Sequence, residues 1–109
     1  MNDLHDLRTL HDLQTWLATQ HHGLRTFKTF QDKLNSLSGR EPGQRALYAL
    51  LGHLVGRYVE TFDEEPLPVA TADRAHARLV ELVASLDLDA GADRHLADIN
   101  RVAACDLLH

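Results

Sequence analysis

The stretch ALLGHLVGRY, residues 49–58, decides how this chain folds. It sits in a longer run whose apolar residues keep helical spacing: Leu47, Leu50, Leu51, Leu54, Val55, Tyr58, Val59 and Phe62 share one broad face. Gly52 and Gly56, one turn apart in the middle of that run, each cost a helix about 1 kcal/mol relative to alanine. The side away from the leucines carries Ala49, Gly52, His53, Gly56 and Glu60, where a surface helix usually shows charges. Such a small-residue strip predicts close approach by a neighbouring backbone, with dispersion along the contact offsetting the glycine cost. Residues 43–62 are therefore expected to form the central helix of the fold, with Ala49, Gly52, His53 and Gly56 as a second packing face.

Helical periodicity extends outward in both directions, and strand alternation is nearly absent. Upstream, LRTFKTFQDKLNSL places Leu24, Phe27, Phe30, Leu34 and Leu37 on one arc, with Gly39 as the expected stop and Pro42 opening the next helix. Before Gly23, a first helix is expected to start after Asn2 or Asp3 and run to about Gln20, and along it Leu4, Leu7, Leu10 and Leu13 recur every third position and drift around a straight helix. Either the helix is covered on two sides or it breaks near Thr9, where TLHD offers a capping start. Downstream, the proline-containing DEEPLPVAT is a loop. A fourth helix follows over about 72–86 with Ala75, Leu79, Leu82, Val83 and Leu86 inward. After the turn DLDAGA, a fifth covers about 93–107 with Leu96, Ile99, Val102, Ala103 and Leu107 inward. These two read as an antiparallel hairpin. The fold class is all-α: one domain, residues 1–109, a bundle of about five helices.

Composition narrows the setting. At 109 residues, 44% hydrophobic and 25% charged, the chain suits a single globular core. No apolar run reaches the roughly 20 residues of a membrane span. The acidic start is unlike a secretory signal, and the lone Cys105 has no internal disulfide partner, so a reducing cytoplasm is the expected location. The Ala-, Arg- and Leu-rich make-up suggests a bacterial source. A net charge of −5 disfavours nucleic acid as a partner. The charge is uneven: residues 23–57, with Arg25, Lys28, Lys33, Arg40, Arg45 and Arg57 against Asp32 and Glu41, carry +4, leaving −9 for the rest.

Signals for chemistry are sparse. There is no GxSxG, no glycine-rich phosphate loop, and DLDAGAD lacks the spacing and the glutamate of a calcium loop. The unbroken apolar face through Gly52 leaves no room for a helix-turn-helix. Eight histidines stand out, yet no HxxxH, HxxH or ExxH occurs, so a metal or haem site would have to assemble from separated residues such as His21, His22 and His53. The segment HHGLRTF, residues 21–27, is similar in part to the phosphoaccepting segment of histidine phosphotransfer domains, which are acidic helical bundles of comparable length. His22, Leu24 and Arg25 match the histidine, leucine and basic positions, whereas Thr26 and Phe27 replace the two small residues that follow there. The resemblance implies phosphate accepted on His22 and balanced by Arg25.

These absences point to a non-enzymatic protein that binds another protein or self-associates, as a regulator, inhibitor, chaperone or adaptor, with no cofactor and no metal. The expected contact residues are Leu10, Leu13 and Trp16 on an exposed apolar strip, with Arg25, Lys28 and Lys33 as the electrostatic counterpart.

Overall fold

The computed structural model describes residues 9–107, and among them every regular element is helical: α1 Leu10–Ala18, α2 Leu24–Arg40, α3 Arg45–Phe62, α4 Val69–Ala84 and α5 Ala92–Ala104. No helix among the described residues is long and apolar enough to cross a membrane. The expected positions Leu4 and Leu7 lie outside the described residues. α1 starts where the TLHD signal placed a start, with the Thr9 side chain accepting the Asp12 N–H at 3.1 Å. Leu10, Leu13 and Leu17 then fall on its buried side.

α2 buries Phe27, Phe30, Leu34 and Leu37, the arc expected from its spacing. It runs on through Gly39 to Arg40, so Gly39 is not the stop. Tyr48, buried at the start of α3, donates its hydroxyl to Glu41 Oε1 at 2.8 Å and ties down the residue that ends α2. A 3-10 turn at Pro42–Gln44 leads into α3, which continues unbroken through both glycines. α4 begins three residues ahead of the expected start, directly after Pro68, whose extended backbone suits the position before a helix.

α3 packs along α2 and also against α5, while α1 packs on α4 and α2. Phe27 of α2 meets Tyr58 of α3 with ring centroids 4.6 Å apart, and Tyr58 meets Phe62 at 5.3 Å. These rings join Leu13, Leu17, Leu34, Leu51, Val55 and Leu79 in one core. α4 and α5 do not form the expected hairpin. Each finds its main backbone neighbour elsewhere, α4 in α1 and α5 in α3.

The Cα envelope measures 40 × 35 × 19 Å, about two helix layers thick. Two layers leave no third to cover the far side of α3. Ala49 and His53 are exposed, Gly52 and Gly56 are half-buried, and a Cβ built on Gly52 meets nothing within 4 Å. The second packing face expected for Ala49, Gly52, His53 and Gly56 is therefore not a backbone contact. What crosses it is one side chain: Gln31 of α2 donates from Nε2 to Gly52 O at 3.3 Å, and a Cβ on Gly56 would lie 2.8 Å from that nitrogen.

α5 is also turned from its expected setting. Its buried line is Asp98 and Val102, with Ile99 half-buried, while Leu96 is 59% exposed and Ala103 faces outward. On a helix Leu96 and Ala103 lie roughly 160° and 140° from Asp98, so burying the aspartate turns them away.

Gly52→Ala is expected to raise stability by about 0.5–1 kcal/mol, because the methyl enters open space and the helix gains alanine propensity. Gly56→Ala is expected to be close to neutral, since Gln31 must leave its carbonyl to make room. Urea-unfolding midpoints of the two variants against wild type check both.

Candidate functional site

The residues expected to make an exposed apolar strip do not. Leu10 is 3% and Leu13 0% exposed, both in the core, and Trp16 is half-buried against it. Within the described helix, which begins at Leu10, Leu10, Leu13 and Leu17 share one inward side. The cationic counterpart is likewise dispersed. Arg25 and Lys28 are exposed on α2, but Lys28 Nζ pairs with Asp63 Oδ1 at 3.0 Å, and Lys33 is half-buried. The positive charge of the middle segment thus partly serves to hold the α3 terminus against α2, in a solvent-exposed pair of small energetic weight.

Two open grooves flank α3. One, of about 320 Å³, runs between α2 and α3 over Ala49, Gly52 and Gly56, with Gln31, His53 and Glu60 on its walls. The other, of about 400 Å³, lies where the start of α2, the end of α3 and the start of α4 meet. Leu24, Phe62, Leu67, Val69 and Ala72 give it an apolar floor, and His22, Glu65 and Asp73 stand on its rim. Val69, the first residue of α4, is 76% exposed there. Pro66 and Pro68 hold the backbone around Leu67 extended, which keeps the connection open beside the groove.

Beside this groove the fold gathers three histidines that the sequence separates. His22 Nδ1 lies 2.7 Å from Asp73 Oδ1, and the His22 ring stacks on His76 with centroids 3.9 Å apart. His76 is buried and donates from Nε2 to the Leu17 carbonyl at 2.9 Å. His21 Nδ1 accepts the Gly23 N–H at 3.0 Å, just ahead of α2. His53 lines the other groove. Among the described residues no three His, Cys, Asp or Glu side chains converge to hold a metal ion, so His21, His22 and His53 do not form the ligand set considered from the sequence. His22 itself lies on the connection before α2, with Gly23 as the helix N-cap. The trace in the sequence was Asp73-x-x-His76, which puts a carboxylate and an imidazole on one helix face. Their partner His22, 51 residues before Asp73, carries no local mark of the contact.

Asp98 is the second polar centre that spacing did not disclose. Fully buried, it accepts the Asp87 N–H on Oδ2 at 2.9 Å and pairs through Oδ1 with Arg94 at 2.9 Å and Arg101 at 3.6 Å. Both arginines also reach Ser85 at the end of α4. Burial works against the carboxylate's charge, but the amide and the two guanidiniums outweigh it and hold its pKa below the usual value of 3.8. Cys105, half-buried just past α5, has its thiol pKa raised by burial, opposed by Arg78, which suits a packed rather than a reactive thiol.

Comparison with protein-family models, with curated proteins and with solved structures finds no match. The reading of function therefore stands on the geometry alone.

Asp98→Ala is expected to cost about 3 kcal/mol, since it strands the Asp87 amide and removes a buried charge partner. Because the folded state depresses the Asp98 pKa, its contribution is present above 3.8 and is lost as pH falls through the lowered folded value. Urea-unfolding free energies should show a wide gap between wild type and variant near neutral pH, narrowing as pH drops below 3.8.

Proposed function

We propose that the protein acts by binding another protein, without chemistry of its own, through the groove at the junction of α2, α3 and α4. The observation that supports this is Val69, 76% exposed at the mouth of an apolar groove, where no other large apolar side chain of α2, α3 or α4 is exposed. Glu65 and Asp73 on the rim favour a partner segment with an apolar side chain flanked by basic residues. The same acidic rim opposes a symmetric pairing of two copies through this face. Contact thus moves from the Leu10–Leu13–Trp16 strip to Leu24, Leu67 and Val69. A reducing cytoplasm fits the single, partly packed Cys105.

A photo-crosslinking residue at position 69, carried by the full chain in cells, is expected to trap one discrete heterologous product. The same residue at position 53, in the other groove, should trap none. A product twice the chain's own mass would instead make the face a homodimer contact, and no product from position 69, or equal yields from both positions, would refute the docking face. Val69→Ser, at an exposed position, should leave the unfolding midpoint unchanged and weaken binding to the trapped partner about tenfold, the worth of one buried valine.

Phosphoryl transfer through His22 is a second reading with one observation in its favour: Asp73 engages Nδ1 and leaves Nε2 as the ring nitrogen open to a phosphoryl group. Incubation with a labelled phospho-donor pair should mark wild type and not His22→Gln. Equal labelling of both would end this reading.

A further inference from the structure

The histidine corner ties α4 to the end of α1 and to the connection that follows it, more than fifty residues earlier in the chain. His76 projects from α4 into the interior, and its Nε2–H is donated to Leu17 O, near the end of α1. In the neutral ring this leaves the Nδ1 lone pair without a proton. Against its face, centroids 3.9 Å apart and planes 20° from parallel, lies His22 of the α1–α2 connection. His22 in turn holds Asp73 of α4 at 2.7 Å. The neighbouring His21 accepts the Gly23 N–H on Nδ1, and Thr26 Oγ1 lies 3.3 Å from the same ring.

We propose that this corner is an acid-released latch: with His76 neutral, the His22–His76 stack clamps the α1–α2 connection onto α4, and protonation of both stacked rings forces them apart. The groups facing His76 are His21 and His22 from the connection, Asp73 from its own helix and the Leu17 carbonyl from α1. A single positive charge on the stack has the Asp73 carboxylate beside it, 2.7 Å from His22 Nδ1. A second puts two positive rings in van der Waals contact with one carboxylate, bonded to His22 alone, to offset them, inside a site that water barely reaches on the His76 side. Opening the corner separates the charges and hydrates His76.

The direction of the His76 shift agrees. Burial lowers its pKa from the usual 6.5, and His22 and His21 add to that, opposed by the Leu17 carbonyl and by Asp73. A depressed histidine pKa in the fold means the neutral ring is favoured there. The contribution to stability is intact above pH 6.5 and is lost as pH falls below it toward the folded value. The latch therefore holds at neutral pH and yields in mild acid. It stands on the ring geometry and does not depend on the docking function.

Trp16, one residue before the carbonyl that His76 holds, is the chain's single tryptophan and reports on the corner. The test is a titration of the full chain from pH 8 to 5, following histidine ring resonances, Trp16 emission and amide exchange corrected for its intrinsic pH dependence. In wild type His76 is expected to titrate below 6.5, accompanied by a reversible change in Trp16 emission. Exchange at the end of α1 and the start of α2 should accelerate roughly tenfold for each tenfold by which folding weakens proton binding at His76. His22→Gln removes the like charge and should bring the His76 midpoint back toward 6.5 with a smaller emission change. His76→Gln keeps a donor for Leu17 O but cannot titrate, and should abolish the acid transition. A His76 that titrates at its ordinary value in wild type, or an acid transition that survives unchanged in His22→Gln, would overturn the latch whether or not His76→Gln folds.

Discussion

The contact between α2 and α3 is the constraint from which the rest of the molecule follows. Phe27, Phe30, Leu34 and Leu37 on one side and Leu51, Leu54, Val55 and Tyr58 on the other all leave water. At roughly 1.5–3 kcal/mol for each large side chain buried, that interface outweighs any other single feature of the chain. It also absorbs a cost. The Tyr58 hydroxyl is buried with no hydrogen-bond partner among the described residues, and burial raises its pKa, so the phenol stays neutral where its ring packs on Phe27 and Phe62. The ring contacts and the buried area offset a loss of about 1–3 kcal/mol for such a group. With α3 seated on α2, α5 packs on α3, α1 packs on α2, and α4 packs on α1.

That arrangement explains why polar groups matter most at the corners. Two layers of helices bury apolar stripes efficiently, but they leave the connections at the periphery, where apolar contact is thin. Three of the four connections are held by a specific polar anchor instead. Asp98 draws the α4–α5 turn inward through the Asp87 amide, and its arginines bind Ser85. Tyr48 holds Glu41 at the end of α2. His22 and His76 hold the α1–α2 connection to α4. Such anchors are directional and titratable, unlike the core, so the same economy of layers that makes the fold small also makes its corners sensitive to charge.

The glycines of α3 belong to this picture. Their bare face does not meet a helix, because no third layer among the described residues supplies one. It admits the amide of Gln31, which crosses the groove and bonds the Gly52 carbonyl. At Gly56 the missing side chain makes room for that amide. At Gly52 the space stays open.

The sequence by itself determined the helical class, the course of α2 and α3 and most of their buried faces, because these depend on spacing and capping within a few residues; a start at Thr9 was one of two readings it left open. It also marked the breaks at Gly23, Pro42 and the proline-containing loop. Only tertiary structure decided which face of α5 turns inward, since the pull of Asp98 comes from an amide and an arginine pair that periodicity does not weigh. The same holds for Leu10 and Leu13, whose burial depends on α4 and α2 lying across them. His22 meets Asp73 and His76 across more than fifty residues, and no local pattern encodes a contact made by folding two separate helices to one corner. Periodicity records how much of a helix is covered. It does not record what covers it, because that depends on the number of layers the whole chain can build.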